Sequence, residues 1–302
     1  MLYCGVFVKP IQPLIQEINN DLLSEKNVRL LVQREDLIHP FVSGNKWRKL
    51  KYNLVEAKKT FHSKVLTFGG AFSNHILATA CATAELNMES IGVIRGERHL
   101  PLNPTLTKAK SFGMEFHYIN RETYRKKEET DWKKLYPEYY ILPEGGTNAL
   151  AVKGCEEIIY DHDFDVVCCS CGTGGTIAGI INKLQPHQKA MAFSALKGGD
   201  FLTENIQEYV QSSNWELCLD YHFGGYAKVD KSLIDFINKF NKSHNIPLDP
   251  IYTGKLFFGV LDLVSKDYFR EGTVILLIHS GGLQSIAGIN DRIKNKGWCI
   301  EY

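Results

Sequence analysis

This 302-residue chain predicts an α/β fold with mainly parallel sheets, on two observations. Short β-branched runs alternate with amphipathic stretches along most of its length, the pattern of strands joined by covering helices. Glycines, hydroxyls and a lysine gather at the junctions between those runs, and open parallel sheets bind ligands there, beyond the carboxyl ends of the strands. The length suffices for a sizeable core and suggests two domains.

In chain order, strand Val28 to Gln33 precedes a helix over 45–59, and Lys64 to Phe68 precedes one over 74–86. Ser90 to Arg95 leads into 104–112, and Glu115 to Ile119 into 122–135. After a strand at Tyr139 to Leu142, a helix near 147–160 is followed by strand Val166 to Cys169, helix 174–184 and strand Ala190 to Phe193. Helices over 231–242 and 254–268, strand Thr273 to Ile278 and a last helix from about 283 complete the pattern. No repeat, low-complexity tract or long linker interrupts it.

Composition narrows the function classes. With 35 basic and 34 acidic side chains, there is no net field to favour nucleic acid or an anionic membrane. A small molecule is the expected partner. No apolar run approaches the roughly 20 residues that span a bilayer, and "MLYCGVFVKPIQPLIQEINN" lacks the plan of a signal peptide. A cytoplasmic protein is expected. Eight cysteines do not make a disulfide scaffold at this length, and Cys81, Cys155 and Cys218 sit in apolar contexts as small hydrophobes. Cys168 and Cys171 have the spacing of a zinc or redox pair, but no second Cys or His pair follows.

Four junctions stand out: "SGNK" (43–46), "GGAFSNH" (69–75), "CGTGGT" (171–176) and "HSGG" (279–282). In the third, Gly172, Gly174 and Gly175 allow close backbone approach, while Thr173, Thr176 and the following amides aim donors at a helix N-terminus. A phosphate cradle and a plain tight turn both fit. Neither a Walker loop nor a dinucleotide fingerprint does. In the second, Ser73 or Asn74 serves as helix cap, and the run Ser73, Asn74, His75 could receive a second anion such as a carboxylate. A Ser73–His75 hydrolytic pair is disfavoured, because residues two apart on a helix do not face each other.

Lys46 then acquires a reading that its neighbours do not need, since Lys49 and Lys51 are expected on a solvated helix face. An amine at the mouth of a sheet, with a phosphate cradle elsewhere, is what a covalently held aldehyde cofactor requires. Pyridoxal 5'-phosphate meets both demands. His279 is expected as a hydrogen-bonded neighbour of the pocket, His39 and His62 as surface or turn residues, Trp47 and Tyr52 as packing for the first helix, and 120–134 as a solvated helix face.

The ordered set "SGNKWRKL", "GGAFSNH", "PEGGTNALAVKG", "CGTGGTIAG", "DPIYTGKLFFGVLDL" and "VILLIHSGG" resembles the 1-aminocyclopropane-1-carboxylate (ACC) deaminase and D-cysteine desulfhydrase family, over about residues 28–288. The resemblance implies the tryptophan-synthase-β-like fold type II, with two three-layer α/β domains: a large one made of 1–46 and 146–302, and a small inserted one, 47–145. It implies a homodimer acting on a small amino acid. By position, Lys46 would carry the cofactor as a Schiff base, Asn74 would bond the ring hydroxyl and Gly172 to Thr176 would hold the phosphate. Ser73 would bind the substrate carboxylate or assist proton movement, with His75 alongside, and Tyr252 and Tyr226 would line the substrate pocket.

Three positions separate the branches. ACC deaminases carry Gln, Glu and Leu where this chain has His75, Thr253 and Ser280, and the desulfhydrase side carries His, Thr and Thr. A hydroxyl from Thr253 or Ser280 near the pyridine nitrogen would give a neutral hydrogen bond where a carboxylate would hold the ring protonated. D-cysteine β-elimination is therefore the expected reaction, with Lys46 removing the Cα proton. ACC deamination, elimination or racemisation of another small D-amino acid, and a non-catalytic cofactor-binding protein are the alternatives. The chain departs from the pattern at Ser280, where Thr is usual, and at Ile76 and Leu77.

Overall fold

A computed structural model describes residues 12–160 and 163–302; the N-terminal stretch weighed as a leader lies mostly outside the described residues. Strand β1 (Leu14–Ile18), helix α1 (Asp21–Glu25) and strand β2 (Arg29–Arg34) lead into α2 (Asn45–Lys59). Next come β3 (Lys64–Gly70), α3 (Asn74–Glu85), β4 (Glu89–Arg95), α4 (Pro104–Ser111), β5 (Glu115–Ile119), α5 (Arg121–Arg125), α6 (Trp132–Leu135) and β6 (Tyr139–Ile141). The chain continues through α7 (Ala149–Cys155), β7 (Val166–Cys171), α8 (Gly175–Lys183), β8 (Lys189–Ser194), α9 (Leu202–Gln207) and β9 (Trp215–Cys218). It closes with α10 (Lys231–His244), α11 (Thr253–Ser265), β10 (Val274–Ile278) and α12 (Ser285–Ile293).

Among the described residues the strands form two sheets. One has the order β1-β2-β10-β7-β8-β9, the other β5-β4-β3-β6. Every pairing is parallel except β1 with β2, as strand–helix alternation requires. Central strand β7, "VVCCSC", is buried along nearly its whole length. A strand covered on both faces needs that continuous apolar run. On the covering helices the pattern shifts to the helical period: α10 buries Leu233, Ile234, Ile237 and Phe240 and is capped by Asp230.

Several expectations need correction. Strands β1 and β9 and helices α1 and α9 are short and partly polar, and their periodicity is too brief to read; β1 and β9 are the edges of their sheet. The single helix expected over 122–135 is broken, because Asn120 and Asp131 cap two separate turns. That segment is not simply solvated either: Tyr124 is buried and Trp132 packs edge-on against Phe68. The helix expected over 147–160 stops at Cys155. His39 lies in a loop but is buried, its Nδ1 accepting the amides of Phe41 and Val42 while Nε2 meets Glu85.

The elements meet closely where α2 begins. Gly44 caps α2 with φ +62°, and a Cβ there would lie 1.9 Å from the Ser280 carbonyl oxygen. Only glycine allows the Lys46 turn to rest against the end of β10.

Candidate active site

Helix α2 starts at Asn45, so Lys46 is its second residue and projects into a cavity of about 400 Å³. The ends of both sheets supply the rest of the wall: Ser73, Asn74 and His75 after β3, Gly172, Thr173, Gly174 and Thr176 after β7, and Ser280 after β10. Tyr226 and Tyr252 also line it, their rings 6.2 Å apart and tilted edge-on. The structure thus brings together most of the residues singled out in sequence. Two stay outside the lining. Gly175 is buried beneath the loop, against Thr147. Thr253 is fully buried behind Asp249, donating to its Oδ2 at 2.7 Å and accepting its amide at 2.9 Å. The hydroxyl assigned to the ring nitrogen is therefore engaged elsewhere, and Ser280 alone of that pair faces the cavity, 3.5 Å from the Ser170 hydroxyl.

Lys49 requires the largest correction, being buried rather than solvated. It lies three residues, almost one turn, beyond Lys46 and therefore on the same face. Both amines donate to one carbonyl, Gly145 O, at 3.2 and 3.3 Å, and Lys49 also donates to Thr147 Oγ1 at 2.9 Å. Thr147 in turn contacts Thr173 Oγ1 at 2.6 Å. Burial and the second cation lower the Lys46 pKa to about 7, and burial lowers that of Lys49. Two ammonium groups on one neutral acceptor cannot both be comfortably charged.

His75 is buried with Nε2 on Thr67 Oγ1 at 2.7 Å, and Thr67 donates to Leu142 O at 3.2 Å. That chain puts the ring proton on Nε2 and leaves Nδ1 as an acceptor without a hydrogen-bond partner among the described residues. Burial and the two lysines hold the ring neutral. Ser73 caps α3, its hydroxyl accepting the Ile76 amide at 3.4 Å, and also lies in the cavity lining. Asn45 donates to Thr176 Oγ1 at 2.8 Å and ties α2 to the glycine loop. Gly174 enters α8 with φ +85°, leaving the first α8 amides without intrahelical acceptors.

Sequence reasoning missed Asp249, Arg95, Glu144 and Ser170 in the lining. Asp249 had a signal, since Asp-Pro before a helix start is a local capping pattern. Both lining carboxylates are engaged: Asp249 accepts the amides of Ile251, Tyr252 and Thr253 and the Thr253 hydroxyl, and Glu144 pairs with Lys127 at 3.1 Å. His279 is outside the lining, hydrogen-bonded to Pro247 O at 2.7 Å. Cys171 lines the cavity, but burial pushes its thiol up to about 11.

This donor set fits pyridoxal phosphate. It offers an amine whose charged form burial disfavours, a glycine loop at a helix N-terminus with threonine hydroxyls and a second lysine for a phosphate, and an asparagine in the same wall. Fold and site define a pyridoxal-phosphate-dependent enzyme, and the chain belongs to that family, whose pattern matches residues 13–281. Within it, the chain belongs with the ACC deaminase and D-cysteine desulfhydrase relatives. It is 31% identical over 305 residues to the bifunctional D-cysteine desulfhydrase/1-aminocyclopropane-1-carboxylate deaminase, mitochondrial, of Arabidopsis thaliana, covering 87% of this chain and 74% of that one. A crystal structure of an ACC deaminase homologue superimposes with TM-score 0.84 at 27% identity, over 96% of this chain and 95% of the other. A hydrogen sulfide-producing enzyme from Fusobacterium nucleatum shares the fold, with TM-score 0.67 and 18% identity over 90% and 96%. Among the described residues no helix is long and apolar enough to cross a membrane.

The lowered lysine pKa has a measurable consequence. Covalent capture of the aldehyde needs a neutral amine. Because burial brings Lys46 from 10.5 to about 7, capture by cofactor-free protein should accelerate through pH 7 and level off above it. Growth of visible absorbance after adding pyridoxal phosphate across a pH series measures this. A rate still climbing steeply toward pH 10 would contradict the lowered value.

Proposed function

We propose that this enzyme removes the Cα proton and the β-substituent of a small D-amino acid, with D-cysteine the best fit, giving pyruvate, ammonia and sulfide. The observation that carries the choice of elimination is the pair of uncharged hydroxyls, Ser170 and Ser280, in the cavity wall. The hydroxyls of Ser170 and Ser280 face the cavity, while the carboxylates of Asp249 and Glu144 are already satisfied. Among the described residues no unengaged carboxylate lines the cavity to favour the permanently protonated ring that opening a cyclopropane would use. The named activities of the Arabidopsis relative include both reactions, so ACC deamination is the second reading.

The cofactor, when bound, supplies the electron sink that acidifies Cα. Lys46 would anchor it, the 172–176 loop with Lys49 would hold its phosphate, and Asn74 would bond its ring hydroxyl. Ser73 and the first amides of α3 would hold the substrate carboxylate, with His75 Nδ1 as a fixed acceptor beside them. Tyr252 and Tyr226 would confine the side chain. Lys46, freed when substrate binds, would take the Cα proton; the carbon–sulfur bond breaks, hydrosulfide leaves, and water completes hydrolysis to pyruvate and ammonia. This reading includes the two domains, 1–46 with 146–302 and 47–145, each supported by its own sheet, and a cytoplasmic homodimer.

Cofactor-loaded protein should release pyruvate and sulfide from D-cysteine and little 2-oxobutyrate from ACC. Dominant 2-oxobutyrate would mean that the hydroxyl pair does not select the chemistry. Silence with both substrates would remove the reading.

A further inference from the structure

The segment between β9 and α10 borders the cavity mouth in a backbone conformation that needs support. Phe223 and Ala227 have φ of 51° and 55°, and Gly224 and Gly225 have 87° and 114°. Non-glycine residues rarely occupy that left-handed region, and two of them so close together require outside restraint. The restraint is visible at the carbonyls. Lys255 Nζ donates to His222 O and Gly225 O, both at 2.8 Å, and Arg292 donates to Ala227 O. Phe223 is seated edge-on against Phe258 at 5.0 Å.

Lys255 is an unusual restraint. It is 2% exposed and has no carboxylate partner among the described residues, since Asp249 spends both oxygens on the start of α11. A buried cation paired only with neutral carbonyls is costly, and burial lowers its pKa to about 8. Its position is informative. Lys255 and Tyr252 are three residues apart at the start of α11, so one helix end presents Tyr252 to the cavity and Lys255 to the loop that carries Tyr226. Tyr226 remains 46% exposed, and its ring meets Tyr252 edge-on.

We infer that Lys255 is a positioning residue for the substrate side of the site: with Arg292 it clamps the 222–227 backbone in its left-handed turn and so sets Tyr226 against Tyr252 at the cavity mouth. The role given to Tyr226 rests on the proposed function; the clamp itself does not.

Two readouts on the same proteins test it. The first is amide hydrogen exchange of the 221–229 segment in Lys255→Met against wild type. The second is binding of D-alanine, which lacks a β-leaving group, to cofactor-loaded protein, followed by its visible spectrum. We expect exchange to rise about tenfold in that segment and not elsewhere. D-alanine binding should weaken about tenfold, and the Lys255→Met/Tyr226→Ala double variant should bind no more weakly than Tyr226→Ala. Unchanged exchange, or full additivity of the two substitutions, overturns the inference. If Lys255→Met does not fold, Lys255→Arg and Arg292→Met replace it under the same two criteria. A wild type that ignores D-alanine removes the substrate reading, while exchange still decides the clamp.

Discussion

Lys46→Ala should give a protein that holds no covalent cofactor and loses at least about a thousandfold in turnover, the scale of removing a nucleophile that also serves as base. Borohydride reduction of wild-type holoenzyme followed by peptide mapping should put the adduct on Lys46. The competing amine is specific to this site. Lys49 shares the Gly145 carbonyl and is also buried, so chemistry alone does not choose between them. Geometry does: among the described residues Lys46 has that single acceptor and is partly open to the cavity, whereas Lys49 is buried and also held by Thr147. Lys49→Ala should therefore leave the adduct in place while weakening retention of the cofactor, read by dialysis. An adduct on Lys49, or full colour in Lys46→Ala, would overturn the assignment of both residues.

Arg48→Met should destabilise the protein by about 3–5 kcal/mol, because it strands a buried carboxylate. Arg48 follows Lys46 by two residues and faces the other way. Its guanidinium binds Glu35 in a fork, with both contacts at 3.1 Å, and reaches Tyr160 and Glu157. Glu35 is fully buried and also accepts from Gln33, on β2. The pair thus fastens the first turn of α2, and with it Lys46, to the carboxyl end of β2 in the six-stranded sheet. Urea unfolding should register the loss. The double variant Glu35→Gln/Arg48→Met should recover part of it, since no charge is then left unpaired; a single variant as stable as wild type would show that the network contributes nothing net.

Much of the fold was legible because its signals are local. Strand and helix periods extend over a few residues, and the helices over 45–59, 74–85 and 231–244 fall within a residue or two of their expected limits. Glycine junctions could be read for the same reason, since a turn needs its own φ angles whatever packs around it. Lys46, Ser73, Asn74 and the 172–176 loop share one cavity, as strand carboxyl ends in parallel sheets must. The break at Lys126 was missed although its caps, Asn120 and Asp131, stand in plain sight; charge density over 120–134 suggested a continuous solvated helix.

What tertiary structure alone decided was which charges are buried and what they face. Lys49 and Lys51 look alike in sequence, but Lys49 finds acceptors 96 and 98 residues away, whereas Lys51 remains partly exposed on Glu157. Thr253 looked like a cofactor ligand, and its own neighbour Asp249 claimed the hydroxyl. Lys255 carries no mark of its two loop carbonyls, 30 and 33 residues earlier in the chain. Periodicity and turn chemistry are fixed by bonded neighbours and so survive in a linear reading. The cost of a charge depends on the water removed around it, and that is known only once distant segments have closed over the site.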